Sequence, residues 1–197
     1  LLYSAGYPLL SFIIPYFWNW RKRFFFPFFN KIFSPKGGFP VTKPACTVVG
    51  AMEPGPMVLA PGLVIAADGG LAHLKAQGAA PDLTVGDFDS LGYVPDGNVI
   101  RHPPEKDDTD TMLALRLGLE RGYDTFVLYG CLGGRMDHAY ANFQALVYLA
   151  ENGARGYLLG PGGEAVTVIQ DGALWFPSSC RGIVSVFCPG GTAEGVY

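Results

Sequence analysis

The sequence Leu63-Val64-Ile65-Ala66-Ala67-Asp68-Gly69-Gly70 joins a short apolar run to an aspartate and two glycines. A continuous apolar run of this kind is typical of a strand that is buried on both faces of a parallel sheet. The two glycines allow a tight turn after Asp68, and a helical pattern from about Leu71 to Gln77 stops at Gly78. The segment therefore predicts a strand, a turn and a helix, with a carboxylate at the carboxyl end of the strand.

The same order of strand and helix continues on both sides of this unit. Further strands are predicted at residues 46–49, 81–85, 98–101 and 126–129. One further helix is predicted from Asp108 or Thr109 to Gly122, and another from Asp137 to Gly153. This alternation predicts an α/β fold with a Rossmann-like, doubly wound and mostly parallel sheet over residues 41–160. Such sheets bind ligands in a crevice at the carboxyl ends of their strands.

The pattern changes after Gly160, where short strands are predicted at residues 165–169, 174–176 and 183–187 without helices between them. Three short strands are scarcely enough to form an independent unit. Residues 161–197 are therefore expected to begin a second, all-β unit.

The first 40 residues differ from the rest of the chain. The segment from Leu1 to Trp20 carries no charge and is followed by Arg21-Lys22-Arg23, so its length and flank suit a membrane span. Pro8 and Pro15 and the lack of a cleavage site for secretion argue against this interpretation. We expect residues 1–40 to be a non-native or upstream-translated extension, and membrane association only if they are native.

Composition excludes some classes of function. The formal net charge of −3 provides no basic surface for nucleic acid. The cysteines show neither the CxxC spacing nor the histidine companions of a zinc site, which favours reduced thiols in a cytoplasmic protein. A GxxxxGK[ST] loop is absent from the sequence, which excludes an ordinary P-loop kinase.

Aspartates are concentrated in three further loops. These are Gly86-Asp87-Phe88-Asp89-Ser90, Lys106-Asp107-Asp108-Thr109-Asp110 and Gly133-Gly134-Arg135-Met136-Asp137-His138. Each follows a strand-like run, so a parallel sheet brings their carboxylates to one edge, where they repel one another unless a cation lies among them. A Mg²⁺ ion that carries a polyphosphate suits this pattern, because it binds a few carboxylates together with substrate phosphates.

Read in order with Asp68-Gly69-Gly70, these motifs resemble the thiamine pyrophosphokinase (thiamine diphosphokinase) family over roughly residues 46–197. The resemblance implies an enzyme that transfers diphosphate from ATP to the hydroxyl of thiamine and releases AMP. It also implies a homodimer, in which thiamine lies between the α/β domain of one subunit and the β-sandwich of the other. The resemblance further implies that residues 161–197 begin a smaller, incomplete all-β domain of the β-sandwich type, which binds thiamine. The later β-sandwich segment that contacts thiamine in this family has no counterpart before Tyr197.

The resemblance also implies roles for individual residues. The implied Mg²⁺ ligands are Asp87, Asp89 and Asp110. The implied catalytic residues are Asp89, Asp110 and Arg135. The implied ATP-binding residues are Asp68, Gly69, Gly70, Lys106, Thr109, Arg135 and Asp137.

Several of these residues also have a purely structural interpretation. Asp87 and Asp89 suit an Asx turn, Asp108 and Asp110 suit the first turn of a helix, and Lys106 suits a solvated surface. Asp137 suits a helix cap, as the alternative to orienting Arg135 or contacting the nucleotide. His138 is more often a hydrogen-bonded core residue than a base, and Asn142 is only a weak candidate.

Three alternatives to a thiamine pyrophosphokinase remain at this stage. A pyrophosphokinase that acts on a pterin alcohol would use the same metal and ATP residues. A truncated, non-catalytic nucleotide-binding module would bind Mg²⁺-bound ATP but would not transfer diphosphate. A structural α/β domain with an acidic rim is the third.

Overall fold

The fold is described by a computed structural model over residues 11–16, 44–88, 97–101, 108–170, 172–174 and 182–188, and for residues 11–16 the description covers the backbone alone. In chain order the elements are β1 (Ser11–Tyr16), β2 (Ala45–Val49), β3 (Gly62–Ala67), α1 (Gly70–Ala76), β4 (Leu83–Gly86), β5 (Val99–Arg101), α2 (Asp110–Glu120), β6 (Thr125–Tyr129), α3 (Met136–Glu151), β7 (Arg155–Leu159), β8 (Ala165–Ile169) and β9 (Ile183–Phe187).

The described strands form one sheet in the order β5-β4-β3-β2-β6-β7-β8-β1-β9. The six neighbouring strands β5, β4, β3, β2, β6 and β7 pair in parallel. This confirms the predicted α/β fold with a mostly parallel sheet. The chain moves outward from β2 to β5 and then crosses back to β6 on the other side of β2. The reversal lies between β2 and β6, and a crevice opens at the carboxyl ends of strands at such a point.

Helices cover both faces of the parallel strands. Helix α1 packs on β2 and β3, and its Leu71 and Leu74 join one buried apolar cluster. Helix α2 packs on β2, β3 and β4, while α3 packs on β7 and β8, and together they cover a second cluster. Successive residues of a strand point to opposite faces, so strands between two helical layers need apolar residues throughout. This explains why the end of β3 is a continuous apolar run, and why β2 is apolar except for the buried Thr47.

The predicted separate β-sandwich is not confirmed. Strand β8 pairs antiparallel with β7, and β1 lies between β8 and β9, so the described strands extend the same sheet. The sequence prediction also missed β7, which precedes this extension. Of the predicted strand at 174–176, Leu174 is described outside any strand and the other two residues lie outside the described range.

Part of the first 40 residues belongs to the sheet. Residues Ser11–Tyr16 form β1, so the first strand of the sheet begins earlier in the chain than the predicted strand at 46–49. The β1 register with β8 covers residues 11–13, and Pro15 pairs with Val184 of β9 beyond that register. A proline lacks the N–H that a residue paired on both sides needs. It is tolerated at position 15 because this position pairs with β9 alone. Within the described ranges, every helix is too short or too polar to cross a membrane.

Candidate active site

The turn after β3 is built on the end of β2. Asp68 has a φ of 48°, and its N–H donates to the Val85 carbonyl of β4 at 2.8 Å. A Cβ at Gly70 would overlap the Val49 carbonyl oxygen, so only glycine allows α1 to begin this close to β2. The predicted tight turn is confirmed, and it holds the half-buried Asp68 at the carboxyl edge.

The second motif lies next to the first. A Cβ on Gly86, the last residue of β4, would lie 3.4 Å from the Asp68 Cα. Asp87 follows it and is half-buried, and the buried Phe88 has a φ of 63°. Asp68 and Asp87 therefore follow neighbouring strands at the same edge. Asp89, a predicted ligand and catalytic residue, lies outside the described residues.

The third motif begins α2. The Thr109 hydroxyl accepts a hydrogen bond from the Met112 N–H at 3.2 Å, so Thr109 is the helix cap, and Asp110 lies in the first turn. The adjacent Thr111 hydroxyl lies 3.9 Å from the Cys131 sulfur, which places the start of α2 near the end of β6. Asp108 instead pairs with Arg116 at 3.3 Å. Lys106 lies outside the described residues.

The fourth motif presents an ion pair at the start of α3. Gly133 and Gly134 turn the chain with φ values of 94° and 67°. The Arg135 Nε then donates to Asp137 Oδ1 at 3.1 Å, and its Nη2 donates to Oδ2 at 2.5 Å. The side chains of Arg135 and Asp137 are 71% and 62% exposed. An arginine in this setting presents a planar fork of donors that matches phosphate oxygens.

The ion pair changes the titration of both groups. The hydrogen bond from Arg135 lowers the pKa of Asp137 to about 2, and the same bond raises the pKa of Arg135. Asp137 thus lies within the first turn of α3 and contacts Arg135, as one of the roles considered from the sequence requires. The N-cap of α3 is Arg135, so the interpretation of Asp137 as the helix cap is wrong. His138 is exposed, and its N–H donates to Asp137 at 3.0 Å, so the expectation of a core histidine is wrong.

Asn142 and Cys131 are structural neighbours of this turn. The buried Asn142 donates from Nδ2 to the Cys131 carbonyl at 2.7 Å and ties α3 to the end of β6. Burial raises the pKa of the Cys131 thiol to about 11, so it stays neutral near pH 7. A neutral, buried thiol is a poor nucleophile.

Residues 50–61, which we call the switch-point loop, join β2 to β3 across the point of strand reversal. The Gly50 N–H donates to the Tyr129 carbonyl at 2.8 Å, and the Met52 N–H donates to the Gly130 carbonyl at 2.9 Å. The Ala51 carbonyl lies 3.0 Å from His73 Nε2, which carries the proton because a carbonyl only accepts. The loop is therefore fixed from β6 on one side and from α1 on the other.

The far half of the switch-point loop is held by side chains. The Tyr129 hydroxyl accepts from the Val58 N–H and donates to the Val58 carbonyl, both at 3.1 Å. Gln77 binds the Met57 N–H and the Gly55 carbonyl. The sequence carries no local signal for these anchors, because they come from distant positions in the chain.

The predicted metal ligands are only partly described. Among the residues that the structure describes, no group of three His, Cys, Asp or Glu side chains is close enough to hold a metal ion. Asp87 follows β4 and Asp110 begins α2, and their carboxylates are the kind of oxygen donor that Mg²⁺ prefers. The donor chemistry fits Mg²⁺, because this ion binds one or two carboxylates and takes its other ligands from phosphate and water.

These features define the class of protein: a doubly wound α/β domain with aspartates and an arginine in the turns and helix starts that follow its parallel strands. The sequence model described as "Thiamin pyrophosphokinase, catalytic domain" matches residues 60–158, which is half of the chain. The chain belongs to the thiamin pyrophosphokinase family.

Individual relatives agree with this assignment. The chain is similar to the thiamine pyrophosphokinase of Bacillus subtilis (strain 168), with 36% identity over 91 residues that make up 43% of this chain and 42% of that protein. The crystal structure of thiamine pyrophosphokinase from Bacillus subtilis matches with a TM-score of 0.52 and 28% identity, covering 58% of this chain and 60% of that one. A thiamin pyrophosphokinase family protein from Enterococcus faecalis matches with a TM-score of 0.51 and 30% identity, covering 59% of this chain and 62% of that one. The chain spans less than two thirds of each relative's length.

Proposed function

We propose that this chain is the catalytic part of a thiamine diphosphokinase, which transfers the terminal diphosphate of Mg²⁺-bound ATP to the hydroxyl of thiamine and releases AMP. The family match over residues 60–158 carries the proposal, because this range includes all four motifs. The proposed localisation is the cytoplasm.

The proposed roles follow from the chemistry of the transfer. The β-phosphorus is attacked by an alcohol, and negative charge spreads over the phosphate oxygens, so catalysis depends on alignment and charge neutralisation. Asp137 would hold the guanidinium at the start of α3 through Nε and Nη2, and Arg135 would bind phosphate oxygens through its remaining N–H groups on Nη1 and Nη2. Asp87, Asp89 and Asp110 would bind Mg²⁺, which supplies charge neutralisation when bound.

The remaining site residues would position the nucleotide. Asp68 would contact ATP or the acceptor from the β3 turn, whose shape depends on Gly69 and Gly70. Lys106 would act as a point charge on the triphosphate. Thr109 would place the exposed N–H groups of the first α2 turn towards it.

The acceptor pocket is proposed to require a second subunit. In this proposal the chain forms a homodimer, and residues 161–197 contribute to a β-sandwich domain that meets the α/β domain of the partner. The large apolar side chains of β9 support the proposal, because they are 38–61% exposed in the described part of the protein. Sedimentation of the wild type and of Val184→Asp tests it: a monomeric wild type would contradict the homodimer.

AMP release from Mg²⁺-bound ATP tests the proposed reaction. We expect AMP to form with thiamine, and not with a pterin alcohol or without an acceptor. AMP formation with the pterin alcohol alone would instead identify a pterin-type pyrophosphokinase. Binding of Mg²⁺-bound ATP without AMP formation would identify a non-catalytic nucleotide-binding module.

A further inference from the structure

Met52 and Gly134 are in direct contact, although they lie on opposite sides of the strand reversal. The Met52 sulfur occupies the space that a Cβ at Gly134 would need. Gly134 also has a φ of 67°, a conformation that favours glycine. The Met52 side chain, from the switch-point loop, therefore packs directly on the backbone of the turn that precedes Arg135.

Met52 is held in place independently of this turn. Its N–H donates to the Gly130 carbonyl at 2.9 Å, and a Cβ at Gly130 would lie 2.7 Å from the Met52 carbonyl oxygen. The two backbones thus approach as closely as a glycine allows. Because Gly130 follows β6 directly, the position of Met52 is fixed relative to the sheet.

The bond from Asn142 of α3 to the Cys131 carbonyl ties the start of the Arg135 turn to α3, and Met52 contacts the turn at Gly134. Among the described residues, no atom lies within 4 Å of the place that a Cβ at Gly133 would occupy, whereas a Cβ at Gly134 would meet the Met52 sulfur. The Arg135 side chain is 71% exposed, and its described ion pair is with Asp137, two residues further along the same turn. That pair orients the guanidinium within the turn, but it does not fix the turn relative to the sheet.

We propose that Met52 is a positioning residue for Arg135, acting through its contact with Gly134. The inference rests on the proposed function, because it concerns the role of Arg135 in diphosphate transfer. A displaced guanidinium misses the geometry of the transition state, and small displacements are costly in such reactions. Met52 does not touch the substrate in this proposal.

A double-mutant cycle tests the contact. The variants are Met52→Ala, Gly134→Ala and the double variant, with kcat and KM for ATP as readouts. We expect Met52→Ala to lower kcat by about tenfold with little change in KM. The methyl group of Gly134→Ala overlaps the Met52 sulfur, so we expect the double variant to lose less activity than the product of the two single losses. The strain of an alanine at positive φ is present in both Gly134→Ala backgrounds and cancels in the cycle.

Two further variants separate positioning from general destabilisation. Met52→Leu keeps most of the volume and should recover most of the lost kcat. Met57→Ala is the matched control, because Met57 belongs to the same loop and is buried in the apolar cluster beneath α1. We expect it to lower the melting temperature and to leave kcat within about twofold of the wild type.

Hydrogen exchange at residues 135–138 provides a readout that does not depend on turnover. We expect faster amide exchange in Met52→Ala than in Met57→Ala. The inference would be overturned if the loss of kcat in the double variant equalled the product of the two single losses. Equal amide exchange at residues 135–138 in Met52→Ala and Met57→Ala would also overturn it. If the wild type forms no AMP with any acceptor, the proposed function fails, and the exchange comparison still decides whether Met52 supports the turn.

Discussion

At the residue scale, Arg135 carries the clearest functional expectation. We expect Arg135→Ala to lower kcat by about 10²–10³-fold, because the guanidinium neutralises charge that develops during transfer. Arg135→Lys should recover only part of this loss, since a lysine keeps the charge and loses the fork. Both variants should fold normally, because the side chain is 71% exposed. Steady-state AMP formation and thermal unfolding measure the two effects.

Arg116 offers a matched control for Arg135. It is a second exposed arginine in an ion pair, with Asp108, and its guanidinium lies 5.5 Å from the centroid of the Tyr148 ring. We expect Arg116→Ala to leave kcat within about twofold, since exposed ion pairs contribute little to stability and this one lies along α2. Equal losses in the two arginine variants would contradict the specific role of Arg135. Asp89→Ala is expected to resemble Arg135→Ala.

The Arg135–Asp137 pair also predicts a pH dependence. The pKa of Asp137 is lowered from 3.8 to about 2. A carboxyl whose pKa is lowered by folding stabilises the folded state at every pH above its pKa in the unfolded chain. This stabilisation is lost as the pH falls through its pKa in the folded protein. The pair should therefore persist at every pH above about 4 and weaken between about 4 and 2.

NMR titration of the Asp137 carboxyl carbon measures this pKa directly. In Arg135→Ala we expect the pKa to return towards 3.8, because its main cause is the hydrogen bond from Arg135. An unchanged pKa in that variant would show that the ion pair does not persist in solution. Because the pKa of Asp137 in the wild type is about 2, a loss of activity between pH 4 and pH 6 would come from other groups.

At the element scale, the switch-point loop depends on one hydroxyl. Tyr129 is 1% exposed, and its hydroxyl satisfies both the N–H and the carbonyl of Val58. Tyr129→Phe leaves both groups without this partner, so we expect a loss of about 1–3 kcal/mol in the free energy of unfolding. Denaturant unfolding measures it, and faster exchange of the Val58 amide should accompany it. Tyr140→Phe, at a residue that is 64% exposed, is the control and should be neutral.

The elements that the sequence predicts well are those with strong local patterns. Strands β2, β3 and β6 are apolar runs because both faces of the sheet are covered, and α2 begins where Thr109 caps it. Strand β7 was missed because Arg155 and Gly156 interrupt its apolar pattern, and the parallel pairing with β6 determines its conformation. The extension through β8, β1 and β9 depends on pairing between distant segments, which local patterns do not encode.

The candidate site likewise has features that local sequence motifs predict and contacts that they do not. Sequence motifs identified the loops and the residue types, including Asp68, Thr109 and Arg135, since glycines and acidic residues cluster after strands. The contact of Met52 with Gly134 and the bonds of Tyr129 to Val58 left no local signal. They join positions that lie about 70 or more residues apart, and only the strand order brings these positions together.

At the scale of the whole molecule, β1 decides whether the first residues belong to the fold. Ile13 pairs with Thr167 on one side and with Val186 on the other. Ile13→Pro removes a backbone N–H from a strand with neighbours on both sides, so we expect the melting temperature to fall by about 2–4 °C or more. An unchanged melting temperature would instead support the expectation that residues 1–40 are a dispensable extension. Circular dichroism during heating measures it.

The position of β1 in the sheet also affects how the protein assembles during synthesis. Its partners in β8 are more than 150 residues further along the chain, so β1 leaves the ribosome long before they exist. The parallel strands from β2 to β7 pair over shorter separations, and closing a long loop carries an entropy cost that must be met before its contacts form. An apolar segment must therefore wait unpaired while the α/β core folds. In a cell, this interval is when the nascent chain would most depend on a chaperone that shields hydrophobic segments.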